Sequence, residues 1–153
     1  MLKKIIIILF LFLSSCGYKA MYSNENNIKH DFSISKLTFT GDKNLNIRIK
    51  TKLNNYTLAE KDKNFILEIS SSTKKITIAK NRAGNATSFK NTVKIDVRVQ
   101  LENNSVKKLQ IIQDFTYDSI ENQFDLKKYE REIKNNLTET ATDKLIIKLS
   151  NIK

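Results

Sequence analysis

Two periods of hydrophobic residues run through this chain. Val93, Ile95, Val97, Val99 and Leu101 alternate with Lys94, Asp96, Arg98, Gln100 and Glu102. Strict alternation predicts a strand with one buried and one wet face, as in an antiparallel sheet covered on one side. Asn103-Asn104-Ser105 follows as a short hairpin turn. Val106 to Tyr117 then returns with Leu109, Ile111, Phe115 and Tyr117 on one parity. Upstream, Phe65, Leu67 and Ile69 alternate, and so do Ile76 and Ile78, but the parity changes across Ser70–Lys75. A long strand carrying a bulge in that stretch accounts for the change. Residues 80–88 form a basic Asn/Gly turn between this strand and the next. Phe32 to Phe39 is also β-rich, with its alternation disturbed around Lys36.

The other period is helical. Leu126, Tyr129, Ile133, Leu137, Ala141, Leu145 and Leu149 recur at steps of three and then four, which predicts a helix over 125–149 with Asp125 as its N-cap. Glu130 and Lys134 have the spacing of a favourable pair on that helix. Asp42 is an N-cap candidate for a shorter helix over 42–56, whose face is Leu45, Ile49, Leu53 and Tyr56. Leu45, Ile47 and Ile49 also alternate, as a strand would, but the helical spacing extends further. The order is β-α-β-β-β-α. The last three strands form a meander, and the first reaches the second through a helix, so that pair is parallel with a right-handed crossover. The expected fold is α+β: a two-layer sandwich with a four-stranded, mostly antiparallel sheet and two helices on one face.

Three segments divide the chain: 1–15, 16–31 and 32–153. The first has Lys3 and Lys4, then nine apolar residues from Ile5 to Leu13. Nine residues rise about 14 Å as a helix, far short of a hydrocarbon core of about 30 Å. This is the pattern of a signal peptide, with the positive end kept in the cytoplasm. Leu13-Ser14-Ser15-Cys16 resembles the bacterial lipobox, in which the Cys thiol is diacylated, the peptide is cut before it and the new amine is acylated. Removal of residues 1–15 leaves 138 of the 153 residues and lowers the formal charge from +11 to +9, because Lys3 and Lys4 leave with it. By the sorting rule of that class, Gly17 in place of Asp sends the protein to the outer membrane. Residues 16–31 read as a lipidated tether and 32–153 as a single domain.

Composition removes most catalytic chemistries. There is one Cys and one His, which excludes a disulfide framework, a Cys-cluster zinc site and a multi-His metal site. Three glycines, Gly17, Gly41 and Gly84, cannot build a phosphate-cradling loop. His30 beside Asp31 lies in the tether, where a base is poorly placed. Asp96 and Asp114 fall on the polar parity of their strands, as solvated residues do. A lipid-anchored hydrolase therefore lacks a nucleophile–base pair. No cofactor is expected beyond the covalent N-acyl and S-diacylglycerol groups on Cys16, and no metal.

The excess of Lys and Arg, 27 against 16 Asp and Glu, points to an anionic partner. Export disfavours nucleic acid and makes the phosphates of lipid A available. AT-rich codon usage also enriches Lys, Asn and Ile. Lys80-Asn81-Arg82-Ala83-Gly84-Asn85, with Lys90 close behind, concentrates charge at one end of the sheet. Arg suits bidentate phosphate contact and Lys acts as a point charge. A solvated hairpin tip has the same composition.

Cys16-Gly17-Tyr18-Lys19-Ala20-Met21-Tyr22 resembles the start of mature LPS-assembly lipoproteins, the LptE family, which often begin Cys-Gly-aromatic-basic-Pro-Leu-Tyr. Ala20 and Met21 replace the usual Pro and Leu. The element order, the turn Arg82–Ala86 and the C-terminal amphipathic helix agree with that resemblance. It implies a non-catalytic outer-membrane lipoprotein that plugs the LPS-assembly β-barrel, LptD, assists its folding and binds lipopolysaccharide. It also implies a basic lipopolysaccharide-contacting turn between the second and third strands; Arg82 matches by position, with Lys80 and Lys90 near it. A plug in a polar lumen needs polar outer faces, and Lys94, Asp96, Arg98 and Gln100 supply one. The alternative is an auxiliary outer-membrane lipoprotein of another lipid transport system with no barrel partner.

Overall fold

The computed structural model describes residues 31–58, 61–101 and 104–152. The strands are β1 (Ser33–Gly41), β2 (Asn64–Lys80), β3 (Ala86–Gln100) and β4 (Val106–Asp118); the helices are α1 (Lys43–Leu53) and α2 (Gln123–Ser150). They follow the order β-α-β-β-β-α, and the strands lie side by side as β1-β2-β3-β4. β1 and β2 are parallel; the other two pairs are antiparallel. The α+β sandwich expected from the periodicities is the fold observed.

β1 has a register shift between Ile34 and Lys36, so the disturbed alternation there is a β-bulge at Ser35. Gly41 ends the strand at φ +89°, and a Cβ on it would stand 2.0 Å from the carbonyl oxygen of Ser71. Only glycine meets both conditions. Asp42 then caps α1, its carboxylate accepting from the backbone N–H of Asn44 (2.9 Å) and Leu45 (3.2 Å). The Ser71 hydroxyl, buried beneath this junction, donates to Asn46 Oδ1 at 2.7 Å. α1 buries Leu45, Ile49 and Leu53, as the helical reading requires, and closes in a 3-10 turn over Asn54–Tyr56.

The main core lies between the sheet and the helices. Phe65, Leu67 and Ile69 of β2 and Val93, Ile95, Val97 and Val99 of β3 pack there with Ala141, Leu145 and Leu149 of α2. A second, smaller cluster joins Tyr117, Leu126 and Ile133, with Phe89 and Leu137 against it.

The structure departs from the periodicity-based expectation in four places. β2 has no bulge between Ser70 and Lys75: its pairing with β3 runs unbroken from Ile66↔Gln100 to Thr77↔Phe89. The shifts come later, between Thr77 and Ala79 and between Ala79 and Lys80. Ile76 therefore points away from the helices and is 41% exposed. Alternation alone does not distinguish a bulge from a change in which face carries the apolar residue. The N-cap of α2 is Asn122, whose side chain accepts from Phe124 N (2.9 Å) and Asp125 N (3.4 Å), so Asp125 lies inside the first turn. Glu130 and Lys134 do not pair with each other; Glu130 is taken by Lys75 and Lys134 lies 3.7 Å from Asp42. Tyr129 is 36% exposed and Leu137 half-buried, while Thr138, Thr142 and Ile146 join the buried side. The two buried threonines satisfy their hydroxyls on the carbonyls one turn back, at 2.6 and 2.7 Å.

Candidate functional site

The β2–β3 hairpin ends in an ordered turn. Asn81 N donates to Asn85 O (2.9 Å) and Gly84 N to Asn81 O (3.0 Å), while Asn81 Oδ1 accepts from the N–H of both Ala83 (3.0 Å) and Asn85 (2.9 Å). Asn side chains favour such local closures. Gly84, at φ +84°, completes the turn in the left-handed region. Lys80 and Arg82 extend from this frame, exposed, and among the described residues neither has an ion-pair partner.

Lys90 is placed differently. It lies opposite Ile76, down the strand from the turn, and its ammonium is 2.8 Å from the Asp114 carboxylate. The structure thus brings Lys80 and Arg82 together at the tip and leaves Lys90 paired on the outer face of the sheet. From Ile69 to Ile95 there is no Asp or Glu, against six cations: Lys74, Lys75, Lys80, Arg82, Lys90 and Lys94. Lys74, outside the basic turn motif, is also exposed and without an ion pair among the described residues. Its signal was the missing carboxylates, not a motif.

The outer sheet face carries Lys94, Asp96, Arg98 and Gln100, as the alternation predicts, and both of these cations have a carboxylate near them. Lys94 lies 2.8 Å from Asp96 and Arg98 3.7 Å from Glu68. Gln110 Nε2 donates to Asp96 at 2.7 Å. The Lys94 bond holds the Asp96 carboxyl below its usual range, with Gln110 adding to the effect. Asp96 is therefore an ionised partner and not an acid, and Asp114 has its own lysine. A shallow groove of about 480 Å³ crosses this face where short Thr38, Thr40 and Ser70 lie among longer Glu68, Arg98 and Lys108.

On the helix side, Lys75 makes a short ion pair with Glu130 and stands 3.9 Å over the Phe89 ring. Tyr117 donates its hydroxyl to the same Glu130 carboxylate at 2.9 Å. Burial, and then that bond, push the Tyr117 phenol well above its ordinary value. This network fastens the hairpin to α2. Among the described residues no cluster of His, Cys, Asp and Glu could hold a metal ion, and no helix is long and apolar enough to cross a membrane. Cys16, Gly17 and His30, and with them the segments 1–15 and 16–30, lie outside the described residues.

No protein-family model matches the sequence, and no curated protein matches it. Solved structures do match. Rare lipoprotein B from Shewanella oneidensis aligns over 74% of this chain and 91% of its own, at 13% identity and a TM-score of 0.58. A minor lipoprotein from Acinetobacter baumannii aligns over 76% and 90%, at 9% identity and 0.56. Lipoprotein B from Nitrosomonas europaea aligns over 75% and 81%, at 12% identity and 0.53. At these identities the likeness is one of fold: the β-α-β-β-β-α sandwich of this chain is the fold of these bacterial lipoproteins.

Proposed function

We propose that the chain is an outer-membrane lipoprotein that binds lipopolysaccharide and plugs the LPS-assembly β-barrel, LptD, acting in delivery of lipopolysaccharide to the outer leaflet. The observation that supports this most is a conjunction. Leu13-Ser14-Ser15-Cys16 stands at the end of an apolar run, upstream of a domain with the fold of bacterial lipoproteins. Acylated at Cys16, the protein is held by two or three chains, each buried CH₂ contributing about 0.8 kcal/mol. The tether joins the domain at Phe32, just before Ser33, which pairs with Asn64 at the start of β2, whereas the basic tip is at the far end of that 17-residue strand. That strand is roughly 55 Å long, so Lys80 and Arg82 project away from the anchored end. Phosphate oxygens suit those two exposed cations. The polar outer face, with its three ion pairs, suits a polar, water-filled lumen. The protein acts in this reading by binding and not by catalysis, and needs no cofactor beyond its own lipid.

Tagged full-length protein, extracted from envelopes in mild detergent, tests this reading. A large β-barrel protein should copurify in fixed stoichiometry, and Cys16→Ser should leave the membrane fraction when that barrel is depleted. Recovery with no barrel protein would return the chain to the auxiliary-lipoprotein alternative.

A further inference from the structure

β1 stops at Gly41, opposite Ser71, while β2 runs on to Lys80. Beyond Ser71, β2 therefore has β3 on one side and, among the described residues, no strand on the other. Ser72 to Lys80 are all exposed. An edge of this kind presents a row of backbone N–H and C=O groups to any extended chain.

The other edge of the sheet is guarded. Along β4, Lys148 reaches the Gln110 carbonyl at 3.2 Å, Gln113 donates to the carbonyl of Ile112, and Lys144 holds Gln113 Oε1 at 3.0 Å. Side chains thus occupy that margin. Along Ser72–Thr77 the one tertiary side-chain tie among the described residues is Lys75, drawn onto the helix side by Glu130 and Phe89. Pairing with β3 is regular throughout Ser72–Thr77, and bulges begin only after Thr77. Six regular residues match the usual strand length of about 5–6.

The charge around this edge selects its occupant. Lys74 lies on it without an ion pair among the described residues, Lys80 and Arg82 follow, and no carboxylate occurs in the sequence between Glu68 and Asp96. A second copy docking edge to edge would bring these basic segments together, and like charges directly opposite destabilise a ladder. We propose that the Ser72–Thr77 edge of β2 is a docking site for an extended acidic segment of a partner polypeptide, which adds to the sheet in line with β1. On the outer side the added strand meets Lys74 and Ile76, the latter 41% exposed; on the helix side it meets Thr73 and Thr77. An acidic residue beside Lys74 followed two positions on by an apolar residue beside Ile76 fits that alternation. Main-chain bonds give such docking its affinity and the alternate side chains its specificity. The inference is independent of the lipid anchor and of lipopolysaccharide binding.

Hydrogen exchange on full-length protein in detergent tests it, with a synthetic Glu-Thr-Val-Thr repeat peptide, which sets glutamate and valine alternately on one face, and its Lys-Thr-Val-Thr counterpart as probes. The acidic peptide should slow exchange in Ser72–Thr77 and leave β4 unchanged. Lys74→Glu, a surface change that keeps the melting temperature, should weaken the acidic peptide roughly two- to tenfold and favour the basic one, as reversal of one cross-strand charge pair does. Unaltered exchange in Ser72–Thr77 at saturating acidic peptide would overturn the proposal, as would binding indifferent to Lys74→Glu. Protection that rises with protein concentration in the absence of peptide would assign the edge to a second copy instead.

Discussion

The same two strands, β2 and β3, pass through both halves of this sheet, and the halves differ in nearly everything else. From Asn64 to Ser71, β2 has β1 beside it, with Phe65, Leu67 and Ile69 buried under the helices. From Ser72 onward the same helix-facing positions are Thr73, Lys75 and Thr77, and all are exposed. The first half is a core. The second is a ladder held by β3 and pinned to α2 through Lys75, Tyr117 and the small cluster around Ile133. A strand's hydrogen bonds do not make it part of a core; what its side chains meet does. Stability is concentrated in the half beside β1, and at the other end Lys74, Lys80 and Arg82 have no ion pair among the described residues.

Truncations on α2 test this contrast most severely. Leu145 is fully buried in the main cluster, and Leu145→Ala should destabilise by about 2–5 kcal/mol through lost contacts and the cavity left behind. Ile133 belongs to the smaller cluster, and Ile133→Ala should cost less, toward the low end of that range. Chemical denaturation of both variants measures the difference. Equal losses would mean that the hairpin half is as much a core as the other.

Gly41→Ala probes the border between the halves. The left-handed φ costs an alanine on the order of 1–2 kcal/mol, and the Cβ must also displace the Ser71 carbonyl. A melting temperature lowered by several degrees is expected, with hydrogen exchange quickened first around Asp42 and Ser71.

Much of this was legible in the sequence. Period-two alternation located β3, the stripe of apolar residues at steps of three and four located α2, and Asp42 announced α1 because a capping carboxylate acts within three residues of itself. What stayed hidden depends on distant partners. Lys75 and Glu130 are 55 residues apart, and no local pattern says that Glu130 abandons Lys134 for them. The constraint on Gly41 comes from a carbonyl 30 positions away on β2. For the basic turn, the sequence named Lys80 and Arg82 as neighbours but could not show that Lys90 is claimed by Asp114 across the β3–β4 ladder.

The network at the hairpin's base makes a pH prediction. Burial and the Glu130 bond raise the Tyr117 phenol above the unfolded value near 10. A raised pKa means the folded state holds its proton longer than the unfolded chain. The stabilisation is thus complete below about pH 10 and is lost as the pH climbs further. Tyr117→Phe should lower stability at neutral pH by roughly 0.5–1.5 kcal/mol, the usual worth of one hydrogen bond, and should flatten the alkaline decline. An unchanged slope above pH 10 would place the alkaline sensitivity elsewhere, with Tyr56, raised by burial and by Asp143, the next group to test.

The smallest expected change in stability belongs to the tip itself, where the contrast between the halves is sharpest. Lys80 and Arg82 touch no carboxylate among the described residues, and the turn beneath them is closed by Asn81 and Gly84. Removing both charges, as Lys80→Ala with Arg82→Ala, should therefore shift the unfolding free energy by less than about 0.5 kcal/mol. If the tip holds phosphates of lipopolysaccharide, the same double variant should lose binding on the order of 1.5–3 kcal/mol per charge-assisted contact. The loss should shrink in high salt, where screening has already weakened the wild type. Lys90→Ala is the control, because its charge is balanced by Asp114 and its removal should leave ligand binding nearly unaltered. If the tip variant binds as well as wild type at low salt while Lys90→Ala does not, the ligand lies on the outer face around Lys94 and Arg98. The free end of the sheet would then be charged for the partner strand alone.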